Sequence, residues 1–208
     1  MKQVKPATPY MVALHDRIVD TAMHAFATKG IKAVKMDDIA KLLGISKRTL
    51  YEVFENKEIL LYEGVKKYKA LKEEEFHQIY IESADVMDIL LKIYRMKVEE
   101  FKVTCPEFYS DLSKYPSVQE FFSRDKELQH NRFVEFLKRG VDEGYFRKDL
   151  NLNLLANLFS FVMQHIMEEQ LYKTCSIEEI FHNIVFVSLR GFSTLEGIKR
   201  LEQYDIDK

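Results

Sequence analysis

The chain has 208 residues, 47% hydrophobic and 31% charged, so it can bury one large core or two smaller ones. Seven Gly and four Pro leave few obligatory turns, which favours long helices over many short strands. No stretch nears the roughly eighteen apolar residues of a membrane-spanning helix, and the opening MKQVKPATPYMVALHDR lacks the apolar core of a secretory signal. A cytoplasmic protein is expected, with Cys105 and Cys175 as reduced thiols rather than a disulfide or metal site. The net charge of −2 conceals an asymmetry: residues 1–72 hold 14 Lys and Arg against 8 Asp and Glu, and residues 73–208 hold 17 against 25. A basic head on an acidic body suits a polyanionic partner.

Residues 1–10, with Pro6 and Pro9, read as a flexible arm. From Leu14 the spacing is helical: Leu14, Ile18, Ala22, Ala25 and Phe26 form one stripe, and Gly30 supplies the C-terminal cap. A short helix follows over about 37–43, with Asp37 and Asp38 near its positive end. Gly44 breaks it. Ser46 is placed to cap the next helix, SKRTLYEVF, and Asn56 to cap a long one from about 57 towards 80. Val86, Leu90, Ile93, Tyr94, Val98 and Phe101 trace a further helix that stops near Cys105-Pro106. A short piece ends at Pro116, after which Ser117 and Glu120 form a capping-box pattern ahead of a long helix fading at Gly144. One more helix is expected over about 152–173. Ser176 and Glu179 form a second capping box, opening a last helix over about 177–196. The expectation is about nine helices and no strand.

The segment 36–54, MDDIAKLLGISKRTLYEVF, has the pattern of a helix-turn-helix. Ala40 is small where the second helix must approach closely. Gly44 suits the turn. Ile39, Leu43, Ile45, Leu50 and Val53 are spaced to fill the wedge between the helices. The exposed face of the second helix is basic and polar. Its first turn carries Ser46, Lys47, Arg48 and Thr49, with Tyr51 following. Such a face enters the major groove N-terminal end first, where Lys47 and Arg48 meet guanine O6 and N7 or phosphate. Thr49 reaches a thymine methyl or a phosphate oxygen. Lys57, at the start of the next helix, is placed to hold a phosphate together with free backbone N–H groups.

Phe26-Ala27-Thr28-Lys29-Gly30, Met36 to Ala40, Gly44 to Tyr51, Phe54 and Asn56-Lys57-Glu58, in this order, resemble the N-terminal domain of the TetR family of regulators. The resemblance covers about a quarter of the chain. It implies an all-α fold: a three-helix DNA-binding domain over 11–57, then a larger helical effector-binding and dimerisation domain over 58–208, working as a homodimer. It also implies that Lys47, Arg48, Thr49, Tyr51 and Lys57 stand at operator-contacting positions. Two positions depart from the common pattern. Lys35-Met36 stands where a Thr pair is frequent, and Glu52 brings a negative charge close to expected phosphate.

The last two helices are apolar over more than one face, which asks for cover from several sides. Leu158, Phe161, Val162, Ile184, Val187 and Leu189 are the expected dimer contacts in a two-fold four-helix bundle. Tyr62, Met87, Tyr94, Phe101, Phe108, Phe122, Phe133 and His165 are the expected lining of a pocket for a small apolar or aromatic effector. The resulting expectation is a non-enzymatic regulator, most simply a repressor released from a palindromic operator by that effector, with no cofactor. One alternative is a helical small-molecule-binding protein without operator binding. Another is a metal-dependent helical enzyme built on His165 and Glu169, which share a helix face beside Glu168. The second lacks an HExxH or a second Glu-x-x-His pair, and there is neither a Gly-rich phosphate loop nor a GxSxG elbow.

Overall fold

A computed structural model describes residues 8–203. Its elements are α1 (Pro9–Lys29), α2 (Met36–Leu43), α3 (Lys47–Val53), α4 (Lys57–Glu82), α5 (Val86–Val103), α6 (Pro106–Leu112), α7 (Pro116–Ser123), α8 (Lys126–Asp142) and α9 (Leu152–Glu168). A 3-10 turn follows at Leu171–Lys173. Next come α10 (Ile177–Ile180), a π-helical stretch Phe181–Phe186 and α11 (Val187–Phe192), which run on as one helix, and then α12 (Leu195–Glu202). Among the described residues the only β pairing is an isolated bridge between Phe146 and Ser193, and no helix is long and apolar enough to cross a membrane.

Of the expected arm, residues 1–7, with Lys2 and Lys5, lie outside the described residues. Pro9 and Tyr10 are helical instead. The Thr8 hydroxyl accepts the Met11 N–H at 3.3 Å, and Pro9 occupies the first helical position, where its missing N–H costs nothing.

The described residues form two compact units, neither continuous in sequence: 8–72 with 103–119, and 73–102 with 120–203. In the first, the stripe read along α1 is buried in full: Leu14, Ile18, Ala22, Ala25 and Phe26 are all at most 3% exposed. Ile31, Ile39, Leu50, Phe54, Leu60 and Leu61 are buried in the same unit. Gly30 ends α1 with φ +84 and donates its N–H to the Phe26 carbonyl at 2.9 Å. Its lack of a side chain also admits α6, since a Cβ there would come within 3.0 Å of the Glu107 Cβ. Beside it the Cys105 N–H donates to the Ala27 carbonyl at 2.7 Å. This is why the stretch around α6 folds back into the first unit.

In the second unit α5, α8, α9, the π stretch, α11 and α12 enclose a core of Met87, Ile89, Phe136, Leu137, Phe146, Phe186, Leu189 and Phe192. Arg139 of α8 closes the end of α4, donating to the carbonyls of Tyr80 and Ser83, while its partner Glu143 accepts the Val86 N–H that opens α5 at 2.8 Å. One pair thus satisfies orphan groups of two helix ends.

Three boundaries differ from the sequence reading. The helix expected after Pro116 is two, α7 and α8, and Ser117 is not its cap: the Ser117 hydroxyl donates to the Glu58 carboxylate at 2.8 Å, and Pro116 itself starts α7. The helix expected to 173 ends at Glu168, with Gln170 at φ 53 turning the chain. The last helix stops at Phe192, and Thr194 caps a further one, accepting the Gly197 N–H at 3.1 Å.

Candidate nucleic-acid interface

The turn between α2 and α3 is set by Gly44, whose φ of +66 and ψ of 30 place it in the left-handed region, readily accessible to glycine. Its N–H donates to the Lys41 carbonyl at 3.2 Å, and the Ile45 N–H to the Ala40 carbonyl at 3.1 Å. Ile39, Ala40 and Leu50 are buried between the helices, and Leu43, Ile45 and Val53 are half-buried at their edge. At the start of α2 the Asp38 carboxylate accepts the Lys35 N–H at 3.0 Å, and Met36 is 7% exposed. Of the two positions read as departing from a Thr pair, Met36 is therefore a core residue and Lys35 is exposed.

Ser46 caps α3, its hydroxyl oxygen accepting the Thr49 N–H at 3.0 Å and lying 2.8 Å from the Thr49 hydroxyl. This leaves Thr49 half-buried, while Lys47, Arg48, Tyr51 and Glu52 are exposed along α3. Neither cation stands alone. The Lys47 ammonium pairs with Asp37 of α2, and that hydrogen bond, with the charge behind it, raises its pKa. Arg48 Nε donates to Glu52 Oε1 at 2.9 Å. The carboxylates of Asp37 and Glu52 are thus part of the face. The sequence carried a signal for the second, since Glu52 follows Arg48 at helical spacing, and none for the first.

Lys57 is placed differently from the sequence expectation. Its ammonium donates to the carbonyls of Ile31 at 2.9 Å and Val34 at 3.0 Å, and burial pushes its pKa down. It thus fastens the α1–α2 turn from one side. Asp111 of α6, which sequence reasoning missed, fastens the same turn by accepting the Lys32 N–H at 2.7 Å.

The expected effector residues are not one group. Tyr62 and Phe108 belong to the first unit; Tyr62 is half-buried with Lys66 over its ring at 5.6 Å, and Phe108 is buried in α6. Met87 is wholly buried core. His165 is exposed on α9, stacked on Phe161 with centroids 6.4 Å apart. Among the described residues no three His, Cys, Asp or Glu side chains are grouped to hold a metal. Tyr94, Phe101, Phe122 and Phe133 remain as half-buried aromatics of the second unit; Tyr94 packs on Phe181 and Phe186 at 5.1 and 5.4 Å.

Of the expected dimer contacts, Leu158, Phe161 and Val187 are 54%, 69% and 55% exposed, and Val162 and Ile184 are half-buried. Leu189 is a correction: at 2% exposure it points into its own core. Leu154, missed in that set, extends the exposed stripe on α9 to 154, 158, 161.

A family model described as bacterial regulatory proteins, tetR family, matches residues 18–63, spanning α2, α3 and their turn. The chain is 29% identical over 205 residues to the HTH-type transcriptional repressor KstR2 of Mycolicibacterium smegmatis, covering 93% of this chain and 98% of that protein. Among solved structures, a transcriptional regulator of Saccharomonospora viridis in complex with choline has a TM-score of 0.71 at 18% identity, covering 88% of this chain and 99% of that one. The ketosteroid transcriptional regulator KstR2 of Mycobacterium tuberculosis has a TM-score of 0.57 at 21% identity, covering 87% and 95%. At these identities the two structures speak to the fold alone.

Proposed function

Because this chain belongs to the TetR family of regulatory proteins and is a DNA-binding transcription regulator, we propose that it represses from a palindromic operator, as a homodimer, and that a small apolar or aromatic effector releases it. The observation that carries the reading is the α2–α3 helix-turn-helix with Ser46, Lys47, Arg48 and Tyr51 exposed together on α3. Repression is favoured by the named activity of KstR2, a relative that matches over most of the chain.

The homodimer is supported by the apolar stripe of Leu154, Leu158 and Phe161 on α9, with Val187 on α11. Such a stripe exposed on a single chain is the mark of an interface, and a two-fold partner presents the same stripe in return. Two reading heads then call for half-sites about 34–36 Å apart. The half-buried Tyr94, Phe101, Phe122 and Phe133 support an apolar or aromatic effector. A structure of the same fold was solved with choline and another is named for ketosteroids; the ligand of this chain is left to experiment. An effector that favours a conformation unable to hold both half-sites weakens DNA, and DNA weakens the effector by the same factor.

Binding-site selection from random duplex DNA tests the reading, with the purified protein and Arg48→Ala at two salt concentrations. A palindromic site whose affinity falls with salt and whose sequence preference relaxes in Arg48→Ala is expected. Recovery of no enriched sequence, before and after unfolding and refolding to strip bound ligand, refutes it.

A further inference from the structure

Glu52 stands one turn after Arg48 on the open face of α3 and accepts its Nε–H at 2.9 Å. Nη1 and Nη2 of Arg48 take no partner among the described residues. The side chains are 88% and 58% exposed, so the pair adds little to folding. Its consequence lies in what the face presents to DNA. We propose that Glu52 is a specificity-determining residue: it positions Arg48 to read a guanine end-on and weakens the attraction of the same face to phosphate. The proposal rests on the reading of α3 as the recognition helix.

Guanine offers two acceptors side by side, O6 and N7, and an arginine fork meets both at once. With Nε occupied by Glu52, the two terminal nitrogens are the donors left for that contact. A free arginine side chain loses much rotamer freedom on binding. A carboxylate one turn along narrows its choice before DNA arrives, and preorganisation of this kind lowers the cost of the contact. Phosphate gains less from the arrangement. Sequence-independent affinity comes from cations neutralising phosphates, and the Glu52 carboxylate both offsets the Arg48 charge and repels the backbone. Lys47 is held in the same manner by Asp37. Both cations in the first turn of α3 therefore carry a carboxylate, and the face favours matched acceptors over bare negative charge. The local departure from the family pattern at Glu52 becomes a gain in discrimination at the expense of general affinity.

The test is a double-mutant cycle in the full chain with Arg48→Ala, Glu52→Ala, Glu52→Gln and Arg48→Ala/Glu52→Ala. Each is titrated against the selected duplex, against copies with each guanine replaced in turn, and against an unrelated duplex. Arg48→Ala is expected to abolish discrimination at one guanine. Glu52→Ala is expected to lower it there by about fivefold or more, a fraction of what a bidentate base contact supplies, and to tighten the unrelated duplex by about threefold. Glu52→Gln, which keeps an acceptor and loses the charge, should tighten the unrelated duplex and retain most of the discrimination. In the Arg48→Ala background, Glu52→Ala should change discrimination no further. Unaltered discrimination in Glu52→Ala at the guanine that Arg48→Ala loses overturns the proposal and leaves the DNA-binding reading intact. A changed preference at a cytosine, equal in both backgrounds, also overturns it, because Glu52 would then be reading a base itself. If the unmodified chain selects no site, the recognition-helix reading fails and the proposal falls with it.

Discussion

The Asp111 carboxylate accepts the backbone N–H of Lys32 at 2.7 Å across 79 residues of sequence. It joins α6 to the turn that leads into α2, and its side chain is only 9% exposed. Lys114 pairs with the other carboxylate oxygen at 2.9 Å. Removing the acceptor in Asp111→Ala leaves the part-buried Lys32 N–H without it. A loss of about 1–3 kcal/mol in unfolding free energy is expected, read from the urea midpoint of the purified protein. Asp111→Asn keeps an acceptor and should lose clearly less. Equal losses in the two variants would show that the Lys32 bond is not what matters.

The same contact carries a pH dependence. Burial pushes the Asp111 carboxyl up, but the Lys32 N–H and the Lys114 ammonium outweigh it and hold the group below the ordinary carboxylate range. A carboxyl depressed in the folded state stabilises fully above its unfolded pKa, about 3.9, and loses that contribution as pH falls through the folded value. The stability gap between the unmodified chain and Asp111→Ala should therefore be flat from pH 7 to 5 and shrink below about pH 4. A gap that widens with acid would contradict the assignment.

Lys57 separates a fastening role from a phosphate contact. Its ammonium lies on the carbonyls of Ile31 and Val34, so Lys57→Met should loosen the α1–α2 turn and weaken DNA binding through the helix-turn-helix it supports. The logarithmic dependence of affinity on salt should keep its slope. Loss of a phosphate contact instead lowers that slope by about one. Titration at four or five salt concentrations distinguishes the two.

What could be read from sequence was whatever local chemistry decides. The α1 stripe, the Gly44 turn, the Ser46 cap and the Ser176–Glu179 capping box each depend on residues within a turn or two of one another, and each is present. Lys57 and Asp111 were illegible because they hold main-chain groups, 23 and 26 residues away for Lys57 and 79 for Asp111, and a main-chain carbonyl or N–H leaves no trace in a sequence. Leu189 shows a different limit. It shares an apolar helix with Val187, and only the core decides that Leu189 turns inward, at 2% exposure, and Val187 outward, at 55%. The π stretch Phe181–Phe186 also shifts the facing of every residue after it, which a steady helical period does not anticipate.

Gly44 isolates the conformational requirement of the helix-turn-helix. A Cβ there would meet nothing within 4 Å, so Gly44→Ala pays only for the left-handed backbone at φ +66. About 1–2 kcal/mol of destabilisation is expected. Gly44→Asn should cost less, because asparagine enters this region more readily. Thermal unfolding checks both; a cost for alanine no larger than for asparagine would mean that the turn relaxes to another conformation.

The exposed stripe on α9 gives the sharpest test of assembly. Leu158 and Phe161 are 54% and 69% exposed in the single chain, so a charge there is solvated in the monomer and desolvated only if a second copy covers it. Leu158→Glu/Phe161→Glu should therefore sediment as a folded monomer, with helicity by circular dichroism unchanged. Its affinity for a two-half-site operator should fall to that of a single head. Leu189→Glu is the contrast: at 2% exposure its charge is buried within the chain itself, and it should unfold rather than dissociate. A Leu158→Glu/Phe161→Glu protein that remains dimeric would place the two-fold interface elsewhere and leave the α9 stripe without its proposed partner.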